Sequence, residues 1–228
     1  MSSYKNVLLL IGSPKGPSSS SESLGTYLTE RLEENGLIVE KAYTHRLMNK
    51  EEMQIKLISL IDKADLIVLS FPLYVDSLPS PVIRSMEYIS KNWVNEGKDS
   101  SIKKGFIAIC NCGFPESDQI NTAIKICEIF TQDTGFQWLG GLRIGAGGAI
   151  SGKKLEDRGT LVKTIIDGFN LAAKDIISRN KISQEALDLT SKSFMPKKIY
   201  KFVGNLGWRL QALKYRNFRL KKRPYAKK

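Results

Sequence analysis

Apolar residues follow two rhythms along the chain. Val7 to Ile11 is an unbroken apolar run, V-L-L-L-I, the length and composition of a strand buried on both faces. Tyr4 to Ile11 therefore reads as the first strand. The same pattern returns in Asp65 to Phe71 (D-L-I-V-L-S-F) and in Lys104 to Cys112, whose centre is G-F-I-A-I-C. Leu37 to Tyr43 alternates instead, with Leu37 and Val39 apolar, as expected of an outer strand. Gln137 to Ile144 reads as the last strand. Between these runs the apolar spacing turns helical. Leu24 to Asn35 carries Leu24, Tyr27, Leu28 and Leu32, with Asn35-Gly36 as a stop. Glu51 to Asp62 sets Met53, Leu57, Ile58 and Ile61 on one face. Ser80 to Asn92 has Pro81 suited to its first turn. Ser117 to Thr134 spaces Ile120, Ile124, Cys127 and Phe130, and Leu155 to Ile177 is a long final helix.

Strands and helices in alternation predict an α/β fold, a five-stranded parallel sheet covered on both faces. Ligands of such sheets bind outside the strand carboxyl ends, beside the point where strand order reverses. The loops after the first, third and fourth strands are Gly12–Ser23, Pro72–Pro79 and Asn111–Glu116. Their shared rim is the expected site. The first loop is rich in serine: Ser13, Ser18 to Ser21 and Ser23. A buried strand, a turn full of hydroxyls and N–H groups, then a helix start is how a chain builds a phosphate site. A solvated serine loop is the plainer alternative; the position directly after the first strand favours phosphate.

Charge changes the picture only after it is divided. The 228 residues carry a net charge of +12. Residues 192–228 contain 13 Lys or Arg and no acidic residue, which leaves 22 basic against 23 acidic in 1–191, a net of −1. The body is neutral and the basicity belongs to a tail. A domain of 1–182 with a basic amphipathic extension of 183–228 follows. In the extension Ile199, Phe202, Val203, Leu206, Leu210 and Leu213 share one helical stripe. Trp208 and Tyr215 stand on the far side among basic residues, and Gly204 and Gly207 weaken the helix. Such a stripe packs on the body or a partner subunit, or lies on anionic lipid as a peripheral membrane contact through 197–228. No nucleic-acid-binding fold is visible. No apolar run reaches the ~18 residues of a membrane span, and no secretory leader is read at the N-terminus. Cys110, Cys112 and Cys127 are odd in number and close together, which argues against a disulfide framework. A reducing cytoplasm is the expected home, with the tail peripheral at the inner membrane face.

Several signatures are absent or incomplete. No G-x-G-x-x-G follows the first strand. Gly147 to Lys153 approaches a P-loop, but Lys154 stands where Ser or Thr would hold magnesium. Cys110-x-Cys112 has no second Cys or His pair, so no metal site is expected. The single histidine, His45, reads as an ordinary surface residue.

The rim offers hydroxyls and Lys15 for a phosphate, an apolar ledge at Leu73, Tyr74 and Val75, and a glycine-containing turn beside Phe114. A phosphate at one end and a flat apolar slot at the other suit a flavin mononucleotide. G-S-P-K with the S-S-S-x-S-L that follows, F-P-L-Y-V-D-S-L-P, and C-G-F-P-E resemble the flavodoxin-like NAD(P)H-dependent FMN reductase family over about residues 4–175. The resemblance implies a doubly wound flavodoxin-like sheet of order 2-1-3-4-5, FMN as cofactor, NADH or NADPH as reductant, and a homodimer. Phosphate binders fall on Ser13, Lys15, Ser19, Ser20 and Ser21. Ring-contacting loops fall on Pro72, Leu73, Tyr74 and Val75, and on Asn111, Cys112, Gly113 and Phe114. Lys15 stands where many members have Arg, which keeps the charge and loses the bidentate geometry. The implied activity passes hydride from a nicotinamide to an acceptor (a quinone, a nitro or azo compound, iron, or a protein) with no essential side-chain acid or base. An electron carrier without its own NAD(P)H site is the alternative. Carriers of that kind are typically acidic, which this body is not.

Overall fold

The computed structural model describes residues 4–93, 103–150, 152–179, 181–193 and 196–218. Strands β1 (Asn6–Ile11), β2 (Ile38–Tyr43), β3 (Leu66–Pro72), β4 (Gly105–Asn111) and β5 (Gln137–Ile144) form one sheet in the order β2-β1-β3-β4-β5, every neighbouring pair parallel. The expected order is therefore observed. β1, β3 and β4 are interior, which is why their sequences are apolar without alternation. β2 and β5 are the edges and keep partly exposed residues. A register shift between Phe106 and Ile107 of β4 places Leu139 and Gly140 of β5 opposite one step of the neighbour, a bulge at a sheet edge.

The helices are α1 (Ser20–Glu33), α2 (Thr44–Leu47), α3 (Glu51–Lys63), α4 (Ser80–Asn92), α5 (Asn121–Thr134), α6 (Lys163–Arg179), α7 (Gln184–Ser191) and α8 (Lys197–Lys214). Alternate residues of β1 serve two cores, as the period of a strand requires. Val7, Leu9 and Ile11 pack with Leu24, Leu28 and Leu32 of α1 and with Ile165 and Phe169 of α6. Leu8 and Leu10 pack on the other face with Leu57 and Ile61 of α3, Val82 and Ile89 of α4, and Cys127 and Phe130 of α5.

Beyond shifts of one or two residues, four boundaries differ from the sequence reading, each for a local reason. α1 starts at Ser20 rather than near Leu24, because Ser19 caps it by accepting the Glu22 N–H at 3.1 Å. The helix expected from Ser117 begins as a 3-10 turn over Ser117–Ile120 before α5. The one expected from Leu155 is a 3-10 segment over Glu156–Val162, broken at Gly159 with φ +57, and α6 proper starts at Lys163. Past 182 the chain stays with the body. The Ile182 N–H donates to the Leu139 carbonyl at 3.0 Å, Ala186 of α7 is fully buried, and the Ser117 hydroxyl donates to the Ser191 carbonyl at 2.7 Å. The compact unit accordingly runs from Met1 to Phe194, and the second unit is Met195–Lys228. Of the extension, 194–195 and 219–228 lie outside the described residues. Within 196–218, α8 has no buried residue. No helix among the described residues is long and apolar enough to cross a membrane.

Candidate functional site

The carboxyl ends of β1, β3 and β4 are stitched together by short hydrogen bonds. The Gly12 N–H donates to the Ser70 carbonyl at 2.7 Å, and the Leu73 N–H to the Asn111 carbonyl at 2.8 Å. The Ser70 hydroxyl donates to the Ser21 carbonyl at 2.6 Å, and the Ser21 hydroxyl to Asn111 Oδ1 at 2.8 Å. Ser21, Ser70 and Asn111 are all buried. Their bonds hold the first turn of α1 against the sheet, so the loop before it is presented from a fixed base.

That loop bends through two left-handed residues, Gly16 at φ +68 and Ser18 at φ +65. At Gly16 the conformation suits glycine because no Cβ opposes it. Ser19 is spent as the N-cap. Ser20 Oγ donates to the Gly147 carbonyl at 2.9 Å, so its hydrogen is committed as well. Three of the serines expected to bind phosphate thus use their hydroxyls in the fold. What remains is backbone: among the described residues the N–H groups of Lys15, Ser20 and Ser21 have no protein acceptor. A helix start leaves such donors by construction and adds the positive end of its dipole. Lys15 is exposed beside them, and Ser13 is buried at the loop's root.

Glu22 governs the outer side of the loop. Its carboxylate accepts the Ser18 N–H at 2.7 Å, Lys41 Nζ at 2.9 Å and the Tyr43 hydroxyl at 2.6 Å. Burial works to raise its pKa, but the bonds from Tyr43, Lys41 and Ser18 outweigh that and hold it below the usual value. The Tyr43 phenol is pushed up to about 12, by burial first and then by the Glu22 carboxylate. Glu22 thereby ties the end of β2 to the start of α1, and Lys41 neutralises it. His45 is half-buried rather than on the surface. Its ring lies 3.3 Å from where a Cβ on Gly16 would sit, its centroid is 5.8 Å from that of Tyr43, and its buried Nδ1 has no partner among the described residues.

The other two loops supply apolar cover. Tyr74 and Ser77 exchange backbone hydrogen bonds of 2.9 and 3.0 Å around a tight turn, with Val75 at φ +49 and Asp76 at φ +57. A β-branched residue in the left-handed region is strained, and Val75 is 99% exposed, so no packing compensates it. Tyr74 and, across the rim, Phe114 are also exposed, while Pro72 and Leu73 are half-buried. Gly113 is exposed, and Cys112 and Asn111 are buried behind it. Burial pushes all three thiols up, and Cys112 Sγ sits 3.4 Å from the Phe114 carbonyl. Burial thus works against their thiolate forms, which are the reactive ones.

A fourth loop, after β5, completes the rim. The Gly147 N–H donates to the Cys112 carbonyl at 2.8 Å, and the Ala146 N–H to the Phe114 carbonyl. Ala146 takes φ +51, which no sequence signal announces in an alanine. This is the near-P-loop segment, and Gly147 here buttresses the loop after β4. A groove of about 360 Å³ also opens at the amino end of the sheet, lined by Asn6, Leu8, Ile38, Glu40 and Lys63. It has neither a helix start nor an aromatic ring. The helix start with its unpaired N–H groups and the exposed Tyr74 and Phe114 rings lie at the carboxyl rim instead. No cluster of metal-ligating side chains occurs among the described residues.

No protein-family model and no curated protein matches the chain. Solved structures do. An FMN-dependent NADH-azoreductase from Bacillus anthracis, in complex with FMN, matches at a TM-score of 0.55 and 13% identity, over 76% of this chain and 100% of that one. The fold is flavodoxin-like. A flavone reductase matches at a TM-score of 0.56 and 14% identity, over 98% of each chain. The flavodoxin-like order places the strand reversal between β1 and β3, where the serine loop and the Tyr74 turn stand side by side.

Proposed function

We propose that the carboxyl rim binds FMN and that the protein is an NAD(P)H-dependent oxidoreductase delivering electrons to a small-molecule acceptor. The observation that carries this is the unpaired N–H set at the start of α1, with Lys15 beside it, on the same rim as exposed Tyr74 and Phe114. The donor set suits a phosphate dianion, and the two rings suit a flat apolar head. The azoreductase of the same fold binds FMN and uses NADH, which makes NADH the first reductant to test. When bound, FMN supplies a ring that takes hydride from a nicotinamide and returns electrons to a second substrate.

The chain's own residues do the holding. Lys15 and the N–H groups of Ser20 and Ser21 fix the phosphate end. Tyr74, Val75 and Phe114 cover the ring and keep water from its faces, and Gly113 lets the backbone approach. The buried cysteines are assigned no part in the reaction. A homodimer in a reducing cytoplasm is the form proposed.

Absorbance of the purified protein, with added FMN where needed, tests the binding half: a bound flavin supports it, and an apoprotein that does not take up FMN overturns it. Anaerobic titration of the flavin form with NADH, then NADPH, tests the enzyme half. Rapid bleaching supports the oxidoreductase. A flavin that stays oxidised in both points to the electron-carrier reading instead.

A further inference from the structure

We propose that α8 is a membrane-surface helix whose partner is an anionic lipid bilayer. At 100° per residue, Ile199, Phe202, Val203, Leu206, Leu210 and Leu213 fall within an arc of about 100°. All six are exposed, as is the rest of the helix apart from half-buried Tyr200 and Ala212. Lys198 and Arg209 border the stripe on one side and Lys214 on the other. Lys197 and Lys201 stand opposite it with Trp208, which therefore takes no part in the stripe. Residues 192–228 hold 13 basic and no acidic side chains.

The occupant has to satisfy an apolar stripe and its cationic borders together. A second copy of α8 would bring like charges edge to edge. The sheet body, with a net charge of −1 over 1–191, does not balance the 13 basic residues of 192–228. A bilayer with anionic headgroups satisfies both demands at once: the stripe enters the acyl boundary while lysine and arginine reach up to the phosphates. The helix lies on the surface rather than crossing it, since among the described residues no helix is both long and apolar enough to span. Gly204 and Gly207 fit the same reading. A Cβ at either would meet nothing within 4 Å, so no close packing explains them. They leave the helix weak in water and dependent on a surface for its stability.

The test is flotation of the full-length protein with vesicles of phosphatidylcholine alone and of phosphatidylcholine mixed with phosphatidylserine, with far-ultraviolet circular dichroism alongside. Wild type is expected to float only with the anionic vesicles, at least tenfold enriched over the neutral ones. It should gain helix on binding and release as salt is raised. Leu206→Glu with Leu210→Glu is expected to abolish flotation while the thermal melt of the body is unchanged, because neither side chain is buried. Lys198→Gln with Arg209→Gln should reduce flotation severalfold. Wild type that stays unbound with anionic vesicles at low salt overturns the proposal. So does flotation indifferent to the two leucine changes, which would leave plain charge attraction. A self-association lost in the leucine variant, without wild-type flotation, would make a second copy the occupant. None of these outcomes depends on whether the rim holds FMN.

Discussion

The first helix of the body and the helix of the C-terminal unit both carry leucines at helical spacing, yet α1 buries its stripe and α8 buries none of its own. Leu24, Leu28 and Leu32 are fully enclosed between the sheet and α6, whereas Leu206, Leu210 and Leu213 are about half exposed or more. Their glycines differ in the same sense. A Cβ on Gly25 of α1 would fall 2.8 Å from a Leu9 methyl, so that glycine exists to bring helix and strand together; Gly204 and Gly207 have no neighbour to approach. Their ends differ too. α1 has a serine cap with Glu22 three residues on, the pattern of a capping box, while α8 starts after Pro196 with no side-chain cap. An apolar stripe says that something must cover a helix. Caps, close-packed glycines and balanced charge say that the chain itself supplies the cover.

The largest effect follows from burial. Leu28→Ala is expected to lower the free energy of unfolding by about 2–5 kcal/mol, the usual cost of emptying a core leucine site. Leu206→Ala should move it by no more than ~0.5 kcal/mol, as at any exposed position. Urea melts of the two variants make the measurement. Equal losses would mean that α8 shares a core in solution, and the contrast between the helices would fail.

Legibility followed the same division. β1, β3 and β4 could be read because interior parallel strands need apolar residues on both faces, and V-L-L-L-I or G-F-I-A-I-C leaves little else to build. The ends of these strands could be read because apolar runs give way to turn residues near Gly12, Pro72 and Asn111. The start of α1 was hidden by its own cap, since a serine run lowers helix propensity where Ser19 nucleates one. The use of the hydroxyls of Ser20 and Ser21 within the fold was invisible for another reason. Their partners, Gly147 and Asn111, lie 127 and 90 residues away. Glu22 belongs to no spacing pattern, and His45 reads as a surface residue from its sequence neighbours alone; both take their places through β2 and α2 folding back beside the first loop. α7 was merged with the basic tail, although Ser183 before Q-E-A-L was a usable cap signal.

A middle-sized effect separates the rim from the helix face behind it. Ser21→Ala leaves the buried Asn111 Oδ1 without its donor and should cost about 1–3 kcal/mol. Because the Ser21–Asn111 bond seats the first turn of α1, the same variant should weaken FMN uptake by the purified protein. A melt that shifts with unchanged FMN affinity would detach the seat from the phosphate loop.

Caps and glycines give the next contrast. Ser19→Ala removes a used cap from α1 and should cost about 1 kcal/mol in the melt. Gly204→Ala with Gly207→Ala should instead add helix to α8, by about 1 kcal/mol per site in local helix stability, without shifting the main unfolding transition. Circular dichroism of the native protein reads the gain, and the melt reads the loss.

The smallest effect is electrostatic and separates the two helices by pH. Glu22 titrates below its ordinary value of 4.5 in the folded chain, so its contribution to stability is present above that pH and is lost as pH falls through the lowered folded value. Tyr43, raised from 10.0 to about 12, behaves in the opposite sense: its contribution is complete below pH 10 and fades as pH rises towards about 12. Glu22→Gln should therefore flatten the acid limb of the body's stability profile and part of the alkaline one, by about 1 kcal/mol or less, since Lys41 is partly solvated. The part of the Tyr43 shift caused by burial should survive the substitution. No acidic residue lies in 192–228, so the acid limb belongs to the body alone, and the helix content of α8 on vesicles should not follow it. An acid limb unchanged in Glu22→Gln would show that the bonds from Ser18, Lys41 and Tyr43 contribute nothing net to holding the first turn of α1 against β2.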